Sequence, residues 1–349
     1  MPKLTIPEIL MRVATLDSRT YSVDGETVTA SLQALCQRHP QLEQHFFYDS
    51  GQLKEHFMLV VGGALAAPDT SLSEASELEI LLAASGGSGP PELPHLSEHE
   101  RARYARHIML PQVGENGQRK LKAAKVLIVG TGGLGSPVSM YLAAAGVGTI
   151  GLIDFDVVDQ SNLQRQIVHS VTTVGAPKVL SAKQRLQDIN DQPHLVTYDA
   201  KLNEQNAHDI VPKYDVIVDG CDNYETRYLI NRVAQEYGVP YVYGAIFQFD
   251  GQVSVFLPGR GPCYQCLHPE EPPPAIAPNA NNKGVFGVLP GVVGLLEATE
   301  ALKLILGIGN LLAGRLLIYD ALSMRFRELA FQKRPACRAC GTATAELCH

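Results

Sequence analysis

The chain has 349 residues, of which 45% are hydrophobic and 19% are charged, and this composition excludes an intrinsically disordered protein. Its 29 basic and 36 acidic residues give a net charge of −7, so the composition favours neither nucleic-acid binding nor attraction to an anionic membrane. The first residues lack the charged and then apolar layout of a secretory signal, which predicts a cytoplasmic protein. The length predicts two domains.

Residues 1–87 predict a small α+β domain. Asp24-Gly25 lies between two short β-prone runs and predicts a hairpin turn, and Pro40 ends a helical pattern. Gly62-Gly63 predicts a second turn after an apolar strand. The predicted elements are strands at Thr20–Val23 and Thr27–Thr29, a helix at Ser31–His39, and strands at His56–Val61 and Glu77–Leu82.

A run rich in glycine and proline, from Ser85 to Pro94, cannot sustain a helix or a strand and predicts a linker. We therefore expect a first domain at 1–87, a linker at 88–97 and a larger domain at 98–349. The pair Gly86-Gly87 comes soon after the last predicted strand of the first domain.

The larger domain alternates apolar strands with helical patterns. This order predicts an α/β fold with a Rossmann-like, doubly wound and mostly parallel sheet, followed by appended antiparallel strands. The first strands are predicted at Lys125–Gly130, Thr149–Asp154, Leu195–Tyr198 and Asp215–Asp219, with helices at Pro137–Ala145, Pro177–Ile189 and Glu225–Tyr237. The appended strands are predicted at Tyr241–Ala245, Gln252–Phe256, Arg315–Tyr319 and Arg325–Leu329.

The most apolar stretch, Val285–Leu306, contains Glu297, Glu300 and Lys303. Charged side chains in mid-span are costly in lipid, so the stretch predicts a buried helix and no membrane span.

A glycine-rich loop, Gly130-Thr131-Gly132-Gly133-Leu134-Gly135, lies between a predicted strand and a predicted helix. Glycines there allow a tight turn, and the helix N-terminus offers N–H groups to a phosphate. Asp154 ends the next strand, where an acidic side chain can accept hydrogen bonds from a ribose. The loop predicts a nucleotide site, and a nicotinamide or flavin dinucleotide is the default ligand.

Further polar residues favour a different reaction. Arg165 and Lys178 are cations and Asp222 is a carboxylate that can hold magnesium, a combination that suits nucleotidyl transfer and that hydride transfer does not require. The predicted nucleotide-binding residues are Gly130, Gly132, Gly133, Gly135, Asp154, Asp156, Asn162, Arg165, Gln166, Lys178, Asp222 and Asn223.

Four cysteines form two C-x-x-C pairs, Cys263/Cys266 and Cys337/Cys340. Four thiolates suit tetrahedral zinc and leave no open position, so we expect a structural zinc site. A redox pair is the alternative, and Cys348 and His349 are competing ligands that rank below the second pair.

Four motifs occur in order: G-x-G-G-L-G, D-x-D-x-V-D-x-S-N-L-x-R-Q from Asp154, G-x-P-K at Gly175–Lys178 and D-x-x-D-N at Asp219–Asn223. Together they resemble the ubiquitin-activating-enzyme superfamily, and most closely its MoeB/ThiF-type adenylyltransferases, over about residues 98–341. The resemblance implies ATP, magnesium and zinc as cofactors and a homodimer as the assembly. It makes Arg106, Arg165, Lys178 and Asp222 the catalytic residues.

The resemblance also implies individual roles. Asp154 would bind the ribose and Asp222 the magnesium. The phosphates would be bound by Asn162, Arg165 and Lys178, and by Arg106 of the other subunit. The reaction would be attack of a C-terminal glycine carboxylate on the α-phosphorus of ATP. Some relatives carry a catalytic cysteine where this chain has Ala280, so we expect no covalent enzyme–substrate intermediate.

The first domain resembles the MoaD/ThiS-type ubiquitin-like (β-grasp) sulfur carriers, which end in Gly-Gly. That implies a carrier as the substrate, activated for thiocarboxylate formation by a sulfur donor protein, and the carrier could be residues 1–87 of this chain. Because Gly87 is in peptide linkage to Ser88, we expect proteolysis to free it. The alternatives are adenylation of a peptide C-terminus in natural-product biosynthesis, an inactive scaffold, and a dinucleotide oxidoreductase.

Overall fold

In a computed structural model of the chain, the structure describes residues 2–7, 10–11, 14, 16–48, 51–54, 57–82, 93–271 and 284–341. The chain divides into two compact units, Met1–Glu92 and Leu93–His349. The diglycine at 86–87, residues 88–92 of the predicted linker, Ala280, Cys348 and His349 lie outside the described residues.

The first unit consists of β1 (Lys3–Thr5), β2 (Thr20–Ser22), α1 (Val28–Arg38), α2 (Glu43–Phe46), β3 (Phe57–Val61), β4 (Ala64–Ala66) and β5 (Glu77–Leu82). Its strands form a mixed sheet in the order β2–β1–β5–β3–β4, in which β1 and β5 are parallel and the other pairs are antiparallel. Helix α1 packs Val28, Leu32 and Leu35 into a hydrophobic core whose described residues all belong to this unit.

The predicted hairpin at Asp24-Gly25 is wrong. β2 pairs with β1 instead, and Thr27 is the N-cap of α1, with its side chain accepting a hydrogen bond from the Ala30 amide at 3.2 Å. A threonine satisfies a free N–H at a helix start, so this residue begins the helix where its β-propensity suggested a strand. The predicted turn at Gly62-Gly63 is confirmed, and both glycines have positive φ.

The second unit contains a large sheet with helices around it. Its strands are β6 (Lys125–Val129), β7 (Thr149–Asp154), β8 (His194–Asp199), β9 (Val216–Asp219), β10 (Tyr241–Phe247), β11 (Asp250–Phe256), β12 (Arg315–Asp320) and β13 (Arg325–Ala330). Its helices are α3 (Glu98–Arg103), α4 (Ala105–Ile108), α5 (Gly114–Ala123), α6 (Gly135–Ala144), α7 (Lys178–Ile189), α8 (Glu204–Ile210), α9 (Tyr224–Tyr237), α10 (Tyr264–Leu267) and α11 (Leu289–Leu306).

The strand order in this sheet is β13–β12–β11–β10–β9–β6–β7–β8. Strands β10, β9, β6, β7 and β8 are parallel, and β11, β12 and β13 continue the sheet in antiparallel fashion. The predicted fold of this unit is therefore confirmed. From β6 the chain moves outward through β7 to β8 and then returns to the other side of β6 as β9. This reversal opens a crevice at the carboxyl ends of β6 and β9, where ligands bind in such folds.

Two hydrophobic cores cover the two faces of the sheet. The apolar helix α11 packs on one of them through Leu289, Val293 and Ala298. Its Glu300 is buried and pairs with Lys303 while accepting a hydrogen bond from the Leu312 amide at 2.9 Å. In the part of the chain that the structure describes, no helix combines the length and apolarity that crossing a membrane requires.

Candidate active site

A cavity of about 490 Å³ opens at the carboxyl ends of β6, β7, β9 and β10. It brings together most of the residues that the sequence predicts for nucleotide binding. Those lining the cavity are Gly130, Gly132, Gly133, Asp154, Asp156, Arg165, Gln166, Lys178, Asp222 and Asn223.

The glycine loop leaves β6 in a conformation that requires glycine. Gly130 has φ of +92°, and a Cβ there would lie 2.6 Å from the carbonyl oxygen of Gly220 at the end of β9. Gly135 starts α6, and a Cβ there would lie 1.9 Å from the Gly130 carbonyl oxygen. Gly135 therefore packs the helix against the strand, and it is not among the residues that line the cavity.

Thr131 is held from two sides. Its amide and its hydroxyl donate to one carboxylate oxygen of Asp154, at 2.8 and 3.0 Å. On the other side, His169 Nε2 lies 3.1 Å from the Thr131 carbonyl oxygen, and His169 Nδ1 lies 2.9 Å from Ser181 Oγ. Burial lowers the pKa of His169 to about 4, so the imidazole is neutral and donates to the carbonyl. The sequence analysis missed His169, whose role depends on a contact 38 residues away.

The predicted cations lie beside this loop. Lys178 at the start of α7 is buried and donates to Asp156 at 2.9 Å. The Cδ atom of Arg165 lies 3.8 Å from the position of a Cβ on Gly133, which places the arginine against the loop. Gln166 is buried against Gly132, with its Oε1 unpartnered among the described residues. A phosphate on the loop would thus find two cations and an amide at its edge.

Asp222 and Asn223 follow β9 across the crevice. The Asn223 side chain caps α9 by accepting a hydrogen bond from the Thr226 amide at 2.9 Å. Within the described ranges, the Asp222 carboxylate makes no hydrogen bond or ion pair, although it lines the cavity. A free carboxylate beside a phosphate site fits the ligand that Mg²⁺ prefers.

Two predicted residues lie elsewhere. Asn162 does not line the cavity, and its Oδ1 accepts a hydrogen bond from the Asp159 amide at 3.4 Å within a local turn. Arg106 is in the short helix α4, where its Nη1 contacts Met109 Sδ at 4.0 Å, and it does not line the cavity of its own chain.

The floor of the cavity contains a buried ion pair. Asp219 is fully buried and accepts hydrogen bonds from Arg227 Nε at 3.1 Å and from the Tyr241 hydroxyl at 2.6 Å. Arg227 also donates to the carbonyl oxygens of Cys221 and Gly244. Sequence analysis missed Arg227, although its position in the first turn of α9 places it next to the D-x-x-D-N motif.

The half of the cavity away from the glycine loop has a different character. Tyr243 lies under Arg227, with the guanidinium carbon 5.3 Å from the ring centroid, and its hydroxyl donates to Gln252. Burial lowers the pKa of His268, which also lines this half, to about 4. The lining also includes the apolar residues Ala245, Ile246, Phe247 and Val285 and the polar residues Asp250 and Gln252.

A second buried carboxyl lies behind this wall. Glu297 on α11 is fully buried, and both of its oxygens lack a hydrogen-bond partner within the described ranges. A Cβ on Gly244 would lie 2.2 Å from its carboxyl carbon, so glycine at 244 gives the carboxyl its space. Burial and the nearby Asp219 raise the pKa of Glu297 well above its usual range.

The four predicted zinc ligands form one cluster. The sulfur atoms of Cys263, Cys266, Cys337 and Cys340 lie within 4.8 Å of one another. Tetrahedral zinc with bonds of about 2.3 Å spaces its sulfurs about 3.8 Å apart. The donor set therefore fits a zinc ion.

A parallel sheet that reverses its strand order beside a glycine loop, with cations on one side and a free carboxylate on the other, defines a Rossmann-type nucleotide-binding protein. The family model described as "ThiF family" matches residues 104–339. The chain belongs to the ThiF family, as the sequence motifs predict.

Three similar proteins illustrate this relationship. The sulfur carrier protein adenylyltransferase of Thermus thermophilus is 51% identical over 250 residues, which cover 70% of this chain and 92% of that protein. The probable adenylyltransferase/sulfurtransferase MoeZ of Mycobacterium tuberculosis is 49% identical over 69% of this chain, and this chain spans only 62% of its length. The crystal structure of E. coli MccB with ATP is 25% identical, with a TM-score of 0.60 over 71% of this chain and 76% of that one.

Proposed function

We propose that the chain is an ATP-dependent adenylyltransferase that activates the C-terminal Gly-Gly carboxylate of a ubiquitin-like sulfur carrier. The observation that carries the proposal is the 51% identity to a sulfur carrier protein adenylyltransferase along nearly all of that relative. The cavity supports it, because it joins a glycine loop suited to phosphate to two cations and a carboxylate.

The glycine loop and the N-terminus of α6 would bind the phosphates of ATP through backbone N–H groups. Asp154 fixes Thr131 with one oxygen, and its other oxygen accepts from the Asp156 amide at 3.0 Å, with lone pairs left over for a ribose. Arg165 and Lys178 would neutralise the charge that develops on the phosphates. Lys178 has to exchange its bond to Asp156 for one to a phosphate, so binding includes a local rearrangement.

In the reaction, an oxygen of the glycine carboxylate forms a bond to the α-phosphorus. The bond from that phosphorus to the oxygen bridging the β-phosphate breaks, and pyrophosphate leaves with the electron pair. When bound, magnesium supplies charge neutralisation, and Asp222 is the residue that would hold it. The chain itself contributes position and charge, because the substrate provides the nucleophile.

Arg106 would complete the site from a second subunit of a homodimer. Its distance from the cavity of its own chain and its exposed position on α4 support this role. A zinc ion in the four-cysteine cluster would be structural, because four thiolates leave no position open for a substrate.

The first unit would be the carrier. Supporting this are the parallel pairing of β1 with β5, the helix α1 packed on the sheet, and the position of β5 just ahead of the diglycine. After release at Gly87 and adenylation, a sulfur donor protein would convert the acyl-adenylate to a thiocarboxylate.

The test is ATP–pyrophosphate exchange by the purified full chain. We expect exchange when residues 1–87 with a free C-terminal carboxylate are added, and none with the chain alone or with a short peptide ending in Gly-Gly. Exchange with the peptide alone would favour peptide activation instead, and no exchange with any Gly-Gly carboxylate would contradict the proposal. Intact-mass spectrometry of protein from its native host should show cleavage after Gly87. Uncleaved chain alone, while the pathway operates, would contradict the processing step.

A further inference from the structure

Arg227 is fixed by partners on three different segments. Its Nε donates to Asp219 at 3.1 Å, and its Nη2 donates to the carbonyl oxygens of Cys221 at 2.9 Å and Gly244 at 3.1 Å. These contacts join the end of β9, the loop before Asp222 and the middle of β10. The guanidinium therefore has a single orientation, and it is set before any substrate arrives.

The third nitrogen of the group is free. Arg227 Nη1 makes no hydrogen bond within the described residues, and this nitrogen is not fully shielded from solvent. The residue keeps 8% of its surface exposed and lines the cavity. Because the other two nitrogens face protein, the geometry points Nη1 and its two N–H donors at the cavity.

The residues around Arg227 Nη1 indicate which ligand group it would bind. The phosphates have their own donors at the glycine loop, across the crevice. Beside Arg227, the cavity is lined by Tyr243 and by the apolar Ala245, Ile246 and Phe247 of β10, together with Asp250, Gln252 and His268. A peptide end would lie along β10 with its carboxylate at the guanidinium. Hydrogen bonds to a charged group are strongest where water is excluded.

The net charge of the Arg227–Asp219 pair also suits the binding of a carboxylate that acts as a nucleophile. Asp219 already neutralises Arg227, so the pair as a whole carries no net charge. Such a donor orients a carboxylate without withdrawing as much electron density as an unpaired cation would. The carboxylate thus stays able to attack while it is held beside the α-phosphate.

We propose that Arg227 is a substrate-binding residue whose Nη1 receives the C-terminal glycine carboxylate and holds it for attack on the α-phosphorus. The inference rests on the proposed function, because it assigns the receptor for the nucleophile of that reaction. It distinguishes this arginine from Arg165 and Lys178, which serve the nucleotide.

The experiment compares two forms of residues 1–87, ending in a free carboxylate or in a carboxamide. This segment is a suitable probe because the described residues of its hydrophobic core all belong to the first unit. Binding to the full chain is measured by calorimetry with a non-hydrolysable ATP analogue present. We expect the wild type to prefer the carboxylate by about 10- to 100-fold, as for a hydrogen bond to a charged group. Arg227→Lys should bring that ratio close to one while leaving the affinity for the ATP analogue unchanged.

Arg227→Lys keeps a positive charge beside Asp219, and the double variant Asp219→Asn/Arg227→Gln removes both charges if the single change does not fold. Arg232→Gln is the matched control, since Arg232 lies on the same helix, exposed and paired with Glu204. A variant that weakens both forms equally would show a merely structural role and overturn the inference. A wild type that exchanges pyrophosphate without preferring the carboxylate would overturn it too, while leaving the proposed function intact. A wild type without exchange would contradict the proposed function and, with it, this inference.

Discussion

The four-cysteine cluster and the nucleotide cavity differ in how their polar groups are arranged and partnered. In the cluster, four sulfur atoms face one another, and three of the four cysteines are buried. In the cavity, Asp222 has no partner within the described ranges, and Lys178 has a partner in Asp156 that is itself half exposed. A zinc ion in the cluster would find all four of its ligands in the protein, whereas the cavity leaves polar groups for a substrate that binds and leaves.

The difference teaches where stability and activity reside. A metal ion that stays bound stabilises the folded chain at all times, whereas a substrate stabilises it only while it is bound. Changes in the cluster should therefore alter stability first, and loss of a cavity group that has no partner in the described part of the chain, such as Asp222, should alter activity alone.

The largest effect should come from Cys266→Ser. Structural zinc contributes on the order of 10 kcal/mol to small zinc peptides, so loss of one ligand should remove the metal and lower the thermal midpoint by about 10 °C or more. Elemental analysis and calorimetry measure both quantities. Cys36→Ala is the control and should keep the metal, because Cys36 lies in the core of the first unit. A variant that retained a full equivalent of zinc would contradict the assignment.

Asp222→Asn should have the next largest effect, and it should act on the rate. Losing the carboxylate for magnesium should lower carrier-dependent exchange by about 10²- to 10³-fold, as for other groups that stabilise transition-state charge. The thermal midpoint should not change, since Asp222 makes no hydrogen bond within the described part of the chain. Asp209→Asn, on the exposed side of α8, should leave both quantities unchanged. A normal exchange rate in Asp222→Asn would contradict the proposed role of Asp222 in holding magnesium.

Glu297 provides the smallest and sharpest test. A carboxyl whose pKa is raised by folding adds stability that is complete below its ordinary value of 4.5 and is lost as the pH rises through the folded value. Wild type should therefore lose stability relative to Glu297→Gln as the pH rises above 4.5. Glu297→Met should add about 1–3 kcal/mol by removing an unpaired buried group. Denaturant titrations across pH measure this, and parallel pH profiles of wild type and Glu297→Gln would show that the carboxyl does not titrate.

Sequence patterns predicted the parts of this molecule that depend on neighbours in the chain. The strand Thr149–Asp154 and the strand Glu77–Leu82 have the predicted bounds, because apolar runs bounded by turn residues are local signals. Thr27 misled the prediction, since threonine suits both a strand and a helix cap and only the helix after it decides between them.

The residues of the candidate active site show more clearly that local sequence patterns miss contacts made through the fold. Gly130, Asp154 and Asp222 follow strands that meet at one edge of the sheet, so topology places them together. Arg227, His169 and Glu297 matter through contacts with residues far along the chain or behind the sheet, which no local pattern reports. Asn162 lies inside the right motif, but its side chain turns to the Asp159 amide.

Gly130 and Gly220 end neighbouring strands with their backbones in contact: a Cβ on Gly220 would lie 2.4 Å from the Gly130 carbonyl oxygen. One of these glycines starts the loop proposed for phosphate, and the other starts the loop that carries Asp222. The spacing between the two halves of the proposed chemistry is therefore fixed by main chain against main chain, and side-chain rotamers have no part in it. A single added methyl group at either glycine would clash with the other backbone and force the two loops apart. It would change that spacing without altering any residue that binds the substrates.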